Sequence, residues 1–285
     1  MRGYFLTVLV LVTGVILTTG CNKKSKVQED KIYSRHLQRY VQLSIYSTPL
    51  PEDKSSLELL LLNDGQEAAS LGLQQLLDSL YDNNAINPLV VVAIHAGDRT
   101  AEYGVAEIPD VEQRGSKADK YNLFIDNELY AYVKKKAGVR KFKSVTIAGM
   151  SQGGLSAIDI AWNNSDKIDQ VGVFSGAFWW RDKATTDSSY SDDKNRILLQ
   201  KIRSSRKRPK LKYWLYAGSR EETADRDKDG ITDVVDDTRD LAEILRNKKI
   251  CPPGDIVYVE SPTGKHDYTA WARAFPGFLV WAAGK

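Results

Sequence analysis

The chain has 285 residues, 42% hydrophobic and 27% charged, which excludes disorder and a bundle of membrane helices and leaves a globular protein with a sizeable core. Lys plus Arg exceed Asp plus Glu by only 40 to 37, so the net charge of +3 is too small to make nucleic acid the main partner. Two cysteines, Cys21 and Cys251, cannot form a disulfide framework.

Arg2 precedes an uncharged apolar stretch from Gly3 to Gly20, followed by Cys21 and the polar run Asn22-Lys23-Lys24-Ser25-Lys26. This is the pattern of an export signal. Residues 1–20 resemble a bacterial lipoprotein signal, with Leu17 four rather than three residues before the cysteine. That resemblance implies a lipid on Cys21 and an exported protein anchored to a membrane of the bacterial cell envelope. An uncleaved transmembrane anchor is the other reading, and both tether the chain. Lipidation leaves Cys251 as a lone, structural thiol. Residues 21–38 read as the lipidated N-terminus and a polar tether, and residues 39–285 as one folded domain.

Strands are expected at Tyr40 to Tyr46, Leu57 to Leu62, Leu89 to Ile94, Ser144 to Ala148, Gln170 to Phe174, Lys212 to Tyr216 and Ile256 to Val259. The middle ones are near-continuous apolar runs, which suit parallel strands covered on both faces. Three-and-four spacing predicts helices through Leu71 to Leu76, Tyr121 to Val133 and Leu241 to Leu245. The alternation predicts an α/β fold, a mostly parallel sheet with helices on both faces.

Gly149-Met150-Ser151-Gln152-Gly153 follows the strand at 144–148 and opens a helical run. This is G-x-S-x-G at a strand-to-helix turn, where small neighbours let strand and helix approach around an exposed serine. A serine hydroxyl becomes a nucleophile when a base takes its proton. His266, after the last strand, is the candidate base; His95 precedes the serine and His36 lies beside the tether. The orienting carboxylate is expected after Tyr213 to Gly218, with Glu221 chosen and Glu222 and Asp225 as rivals. The oxyanion donors are the backbone N–H groups of Gln152 and, in the Asn63-Asp64-Gly65-Gln66 turn, Gln66.

Together these residues resemble the putative-esterase family of α/β hydrolases, and within it the enterochelin (trilactone siderophore) esterases. The resemblance runs through Leu62 to Gln66, Arg99 with Glu102-Tyr103, Gly149 to Ala157, Phe174 to Trp180, Gly218 to Glu221, and His266. It implies an α/β-hydrolase fold over 39–285, ester hydrolysis through an acyl-serine, no organic cofactor, and Glu221 as the acid. Siderophore esterases of this type often carry an additional N-terminal domain, where this chain has a short polar segment. Arg99, Trp179 and Trp180 are candidates for binding an aromatic or anionic acyl group.

Asp225-Arg226-Asp227-Lys228-Asp229-Gly230-Ile231-Thr232-Asp233-Val234-Val235-Asp236 matches D-x-D-x-D-G-x5-D/E, an oxygen-rich calcium loop. Its candidate ligands are Asp225, Asp227, Asp229, the Ile231 carbonyl, Asp233 and Asp236. The form is similar to the calcium repeats of thrombospondin. A structural Ca²⁺ here is expected to steady the nearby Glu221. The basic cluster from Arg203 to Lys212 reads as a solvated helix end rather than a nucleic-acid surface, and attraction to anionic envelope components is compatible with it.

The reading is therefore a serine carboxylic-ester hydrolase of the cell envelope, acting on a small-molecule ester such as a siderophore or acylated-sugar ester. Its alternatives are an acyltransferase of the same fold and a non-catalytic calcium-binding lipoprotein.

Overall fold

A computed structural model describes residues 24–285; the leader and Cys21 lie outside the described residues. Eight strands form one sheet: β1 Lys26–Ser34, β2 Arg39–Ser47, β3 Glu58–Asn63, β4 Leu89–Ile94, β5 Val145–Met150, β6 Gln170–Phe174, β7 Lys212–Gly218 and β8 Ile256–Ser261. The spatial order is β1-β2-β4-β3-β5-β6-β7-β8. β2 pairs antiparallel with β1 and β4, and the other pairings are parallel.

The helices are α1 Leu73–Asp82, α2 Arg99–Glu102, α3 Ala118–Leu123, α4 Tyr130–Ala137, α5 Gln152–Asn163, α6 Asp192–Asn195, α7 Ile197–Ser204, α8 Asp233–Asn247 and α9 Tyr268–Ala283. A π-helical turn, Phe124–Leu129, joins α3 to α4. Leu59 and Leu61 of β3 pack into the core beneath α5, α7 and α8, whereas Leu60 and Leu62 face α1 and α9. Both faces are dry, which is why β3 and β4 read as unbroken apolar runs. The architecture is the α/β-hydrolase fold.

One expectation fails. Most of the segment taken as a tether is β1, paired with β2 from Lys26↔Ser47 to Ser34↔Arg39. As an edge strand it has one hydrogen-bonded neighbour and mostly exposed side chains, so its polar sequence carries no burial signal. Among the described residues no helix is long and apolar enough to cross a membrane.

Candidate active site

Ser151 follows β5 with φ 54° and ψ −122°, in the left-handed half of conformational space. Such a non-glycine residue costs about 1–3 kcal/mol, so its surroundings must hold it. Its N–H donates to the Phe174 carbonyl at 2.9 Å, and its own carbonyl accepts from Gly154, Leu155 and Ala177. A methyl on Gly149 would sit 2.3 Å from the Gly153 backbone, and one on Gly153 would sit 2.7 Å from Asp64 Oδ2. The two glycines of the motif therefore let β5, α5 and the Asn63-Asp64 turn meet around the serine.

Glu221 lies beyond the end of β7 with its side chain 1% exposed. Its Oε1 accepts from Gly218 N–H at 2.6 Å and from Ser175 Oγ at 2.5 Å. Its Oε2 lies 2.8 Å from Nδ1 of His266, on the loop after β8. Ser175, itself at φ 52°, accepts from Trp271 Nε1 at 2.8 Å, and the Trp271 ring stands edge-on to His266 with centroids 5.0 Å apart. Among the described residues no hydrogen bond joins Ser151 to His266; catalytic hydrogen bonds commonly tighten only when substrate is present.

The rival groups are engaged elsewhere. Glu222 accepts from Val234 N–H in the first turn of α8, and Asp225 accepts from Lys228 and Gly230 N–H within its own loop. His95 Nε2 meets Ser44 Oγ of β2 at 2.8 Å, on the antiparallel side of the sheet.

Gln152 is the first residue of α5, and Gln66 is the second of the 3₁₀ turn Gly65–Leu71. First-turn N–H groups have no intrahelical acceptor and so remain available to an oxyanion. Asn63 Nδ2 donates to the Gly153 carbonyl at 2.8 Å while Asn63 Oδ1 accepts from Tyr121 Oη, tying the two turns together. Asp64 N–H donates to Tyr103 Oη at 2.9 Å. Burial pushes both phenols up, keeping them protonated.

Arg99 differs from its expected part. Its guanidinium grips Asp64 at 2.9 and 3.2 Å and reaches Gln152 Oε1 at 2.5 Å and the Met150 carbonyl at 3.4 Å. It clamps the Asp64 turn to the serine turn, which leaves few donors for a substrate. Trp180 also departs: it is fully buried, packed against Gly104 and Gly115, and cannot touch a ligand. Trp179 is half-buried, with the Arg114 guanidinium 5.0 Å from its ring centre.

Asp225, Asp227 and Asp229 each offer an oxygen within 4.8 Å of the others, on a loop turned by Gly230 at φ 91°. Burial, reinforced by the Asp229 and Asp227 carboxylates, pushes Asp236 up to about 6, so its charge is opposed by the same group. Asp233 does not join them: it accepts the Arg226 N–H at 2.8 Å and pairs with the Arg226 guanidinium at 2.9 Å. That guanidinium also binds the buried Asp237, which Arg196 holds from the other side at 2.5 Å. The oxygen-only donors at 225, 227 and 229 fit a hard cation. Cys251 is half-buried, and burial pushes its thiol up to about 11, away from reactivity.

A strained serine on a strand-to-helix turn, with a histidine and a buried carboxylate paired on neighbouring loops, stands at one edge of the sheet of this α/β-hydrolase fold. The chain belongs to the putative-esterase family, which matches residues 34–282. No curated protein sequence matches it. Among solved structures, an enterobactin esterase from Shigella flexneri has a TM-score of 0.70 at 22% identity, covering 90% of this chain and 59% of that one. The chain thus spans about three fifths of that relative's length, 59%. A ferulic acid esterase has a TM-score of 0.66 at 17% identity, with 91% and 98% covered. An IroE-like serine hydrolase from Shewanella oneidensis has a TM-score of 0.63 at 18% identity, with 90% and 79% covered.

Burial separates the two tryptophans experimentally. Trp180→Ala should lower unfolding stability by about 3–5 kcal/mol in denaturant titration, and Trp179→Ala by less than half of that. Equal losses would place both in the core.

Proposed function

We propose that this chain is a serine carboxylic-ester hydrolase working through an acyl-serine. The observation that carries the reading is the His266–Glu221 pair at 2.8 Å on the same sheet edge as the strained Ser151. Ser151 Oγ attacks the ester carbonyl carbon while His266 Nε2 takes its proton, and Nδ1–H holds Glu221 Oε2. The oxyanion accepts from Gln66 and Gln152 N–H. The intermediate collapses as His266 protonates the departing alcohol; a water deprotonated by His266 then attacks the acyl carbon, the bond to Ser151 Oγ breaks as His266 returns the proton to it, and the acid leaves. Siderophore and acylated-sugar esters are the proposed substrates, supported by the enterobactin and ferulic acid esterases among the fold relatives and by the half-buried Trp179 beside Arg114.

The same proposal puts the enzyme in the bacterial envelope, anchored through Cys21, with Asp225, Asp227, Asp229, the Ile231 carbonyl and Asp236 holding a structural Ca²⁺. Bound there, the cation would neutralise the acidic turn that links Glu221 to α8. Asp233 supports the site indirectly by holding the Arg226 backbone.

A fluorophosphonate probe is expected to label the wild-type protein and not Ser151→Ala; equal labelling of the two removes Ser151 from the role. Ser175→Ala should lower kcat by roughly tenfold, about 1.4 kcal/mol, with little change in KM, because it loosens the carboxylate rather than substrate contacts. Trp271→Phe added to that variant should cost little more; fully additive losses would show that the two do not act through one hydrogen bond. Calcium at about 100 times its Kd should stabilise the fold by about 2.7 kcal/mol, read as a higher Tm than in chelator. Asp227→Asn with Asp229→Asn should abolish that shift, and an unshifted wild type contradicts the metal.

A further inference from the structure

The sheet register fixes which edge of the molecule the N-terminus leaves from. Lys26 of β1 pairs with Ser47, Ser47 with Val90, Val90 with Leu59 and Leu59 with Val145, the first residue of β5. Thr146 pairs with Gln170 and Gln170 with Lys212, the first residue of β7. Lys26 therefore stands in one row with the beginnings of β5, β6 and β7, whereas Ser151, Ser175 and Glu221 follow the ends of β5, β6 and β7. Six residues of β5 at ~3.3 Å each separate the two edges by about 20 Å.

This N-terminal edge is basic. Its loop 140–143 carries exposed Arg140, Lys141 and Lys143, and loop 206–212 carries five exposed cations, including Lys210 and Lys212. Lys143, Lys210 and Lys212 line one continuous cleft. Of these cations Lys143 pairs with Glu58 at 3.2 Å, the others form no ion pair among the described residues, and Asp169 is engaged by the Val145 N–H at 2.9 Å. The described chain as a whole is nearly neutral, so this surplus is a property of one face rather than of the molecule.

The connection to the leader is short. Ser25 is buried, its N–H donating to Asp78 at 2.6 Å and its hydroxyl to the Gln74 carbonyl at 3.3 Å. From Cys21 to Ser25 is four Cα steps, at most about 14 Å of extended chain. An anchor at Cys21 therefore holds the Lys26 end of this edge within about 14 Å of the bilayer, and the loops before β5 and β7, four and six strands along the same edge or about 19 and 29 Å at ~4.8 Å per strand, come within the Debye length of about 8–10 Å when that edge lies down on the surface.

We infer that the 140–143 and 206–212 loops dock on an anionic bilayer surface, turning the Ser151 edge away from the membrane. The inference rests on the proposed anchor. Charge complementarity and the short connection select the occupant: the proposed anchor brings a lipid surface to the edge that carries these loops, and every other polyanion would have to compete with it.

The full-length chain, purified from membranes, is reconstituted into vesicles of phosphatidylcholine alone or with phosphatidylglycerol, then treated with a membrane-impermeant amine reagent and read by peptide mass spectrometry. Phosphatidylglycerol should protect Lys141, Lys143, Lys210 and Lys212 by about five-fold, as for a lysine held at an anionic surface. High salt should reverse the protection, and Lys117 and Lys265 on the opposite edge should label equally in both vesicles. Equal labelling of the four lysines in both vesicles overturns the inference, as does protection of Lys117 and Lys265. Protection by a duplex oligonucleotide but not by vesicles overturns it in favour of a different polyanion. The mass of the N-terminal peptide reports separately on a lipid at Cys21 or a retained leader. A chain with neither refutes the anchor, while the lysine pattern still decides the docking face.

Discussion

A single buried carboxylate organises the working edge of this protein. Glu221 is shielded from water, and an ionised carboxylate in such a place is tolerable only when hydrogen-bonded and paired. Gly218 N–H, Ser175 Oγ and His266 supply that set, and each belongs to a different part of the sheet edge: the end of β7, the turn after β6 and the loop after β8. The carboxylate thus fixes the imidazole and also ties three connections to one point. Trp271 extends the tie into α9, through its indole N–H and the edge of its ring.

The serine turn is held by an equally specific frame on its other side. Its backbone strain is offset by bonds from Gly154, Leu155 and Ala177 N–H and by one to the Phe174 carbonyl, and Arg99 locks the Asp64 turn against it. This places Gln66 and Gln152, from distant parts of the chain, at adjoining helical first turns. In the proposed mechanism, donors preorganised in this way need no rearrangement when charge develops between them. The acidic loop is attached to the same body through Arg226, Asp237 and Arg196, a buried charge network in which removing one partner would leave another unpaired.

Much of this was legible in the sequence because the signals are local. β4 and β6 lie at their expected residues, since both faces of those strands are buried and the apolar runs have sharp ends. G-x-S-x-G marked the serine turn because steric closeness demands the glycines. β1 was hidden because an edge strand exposing most of its side chains shows no alternation of burial to read. Trp180 was misassigned for a related reason: a core indole has the same composition as a binding-site one, and only packing tells them apart. Ser175 lies in a segment that carries the resemblance, yet its bond to Trp271 gave no signal, because a serine after a strand and a tryptophan in a helix acquire their meaning from each other across nearly a hundred residues. Asp233 fitted the ligand spacing, yet Arg226, one of the loop's non-ligand positions, turned it aside.

The central claim is that Ser151, His266 and Glu221 form one proton relay, although the serine and histidine are not hydrogen-bonded in the resting arrangement. A crystal structure of the protein phosphonylated at its nucleophile measures this directly. The account predicts a covalent bond to Ser151 Oγ, a phosphonyl oxygen accepting from the Gln66 and Gln152 N–H groups, and His266 Nε2 within hydrogen-bond reach of Ser151 Oγ while Nδ1 still holds Glu221. An adduct on another residue, or an imidazole out of hydrogen-bond reach of a modified Ser151, would contradict it.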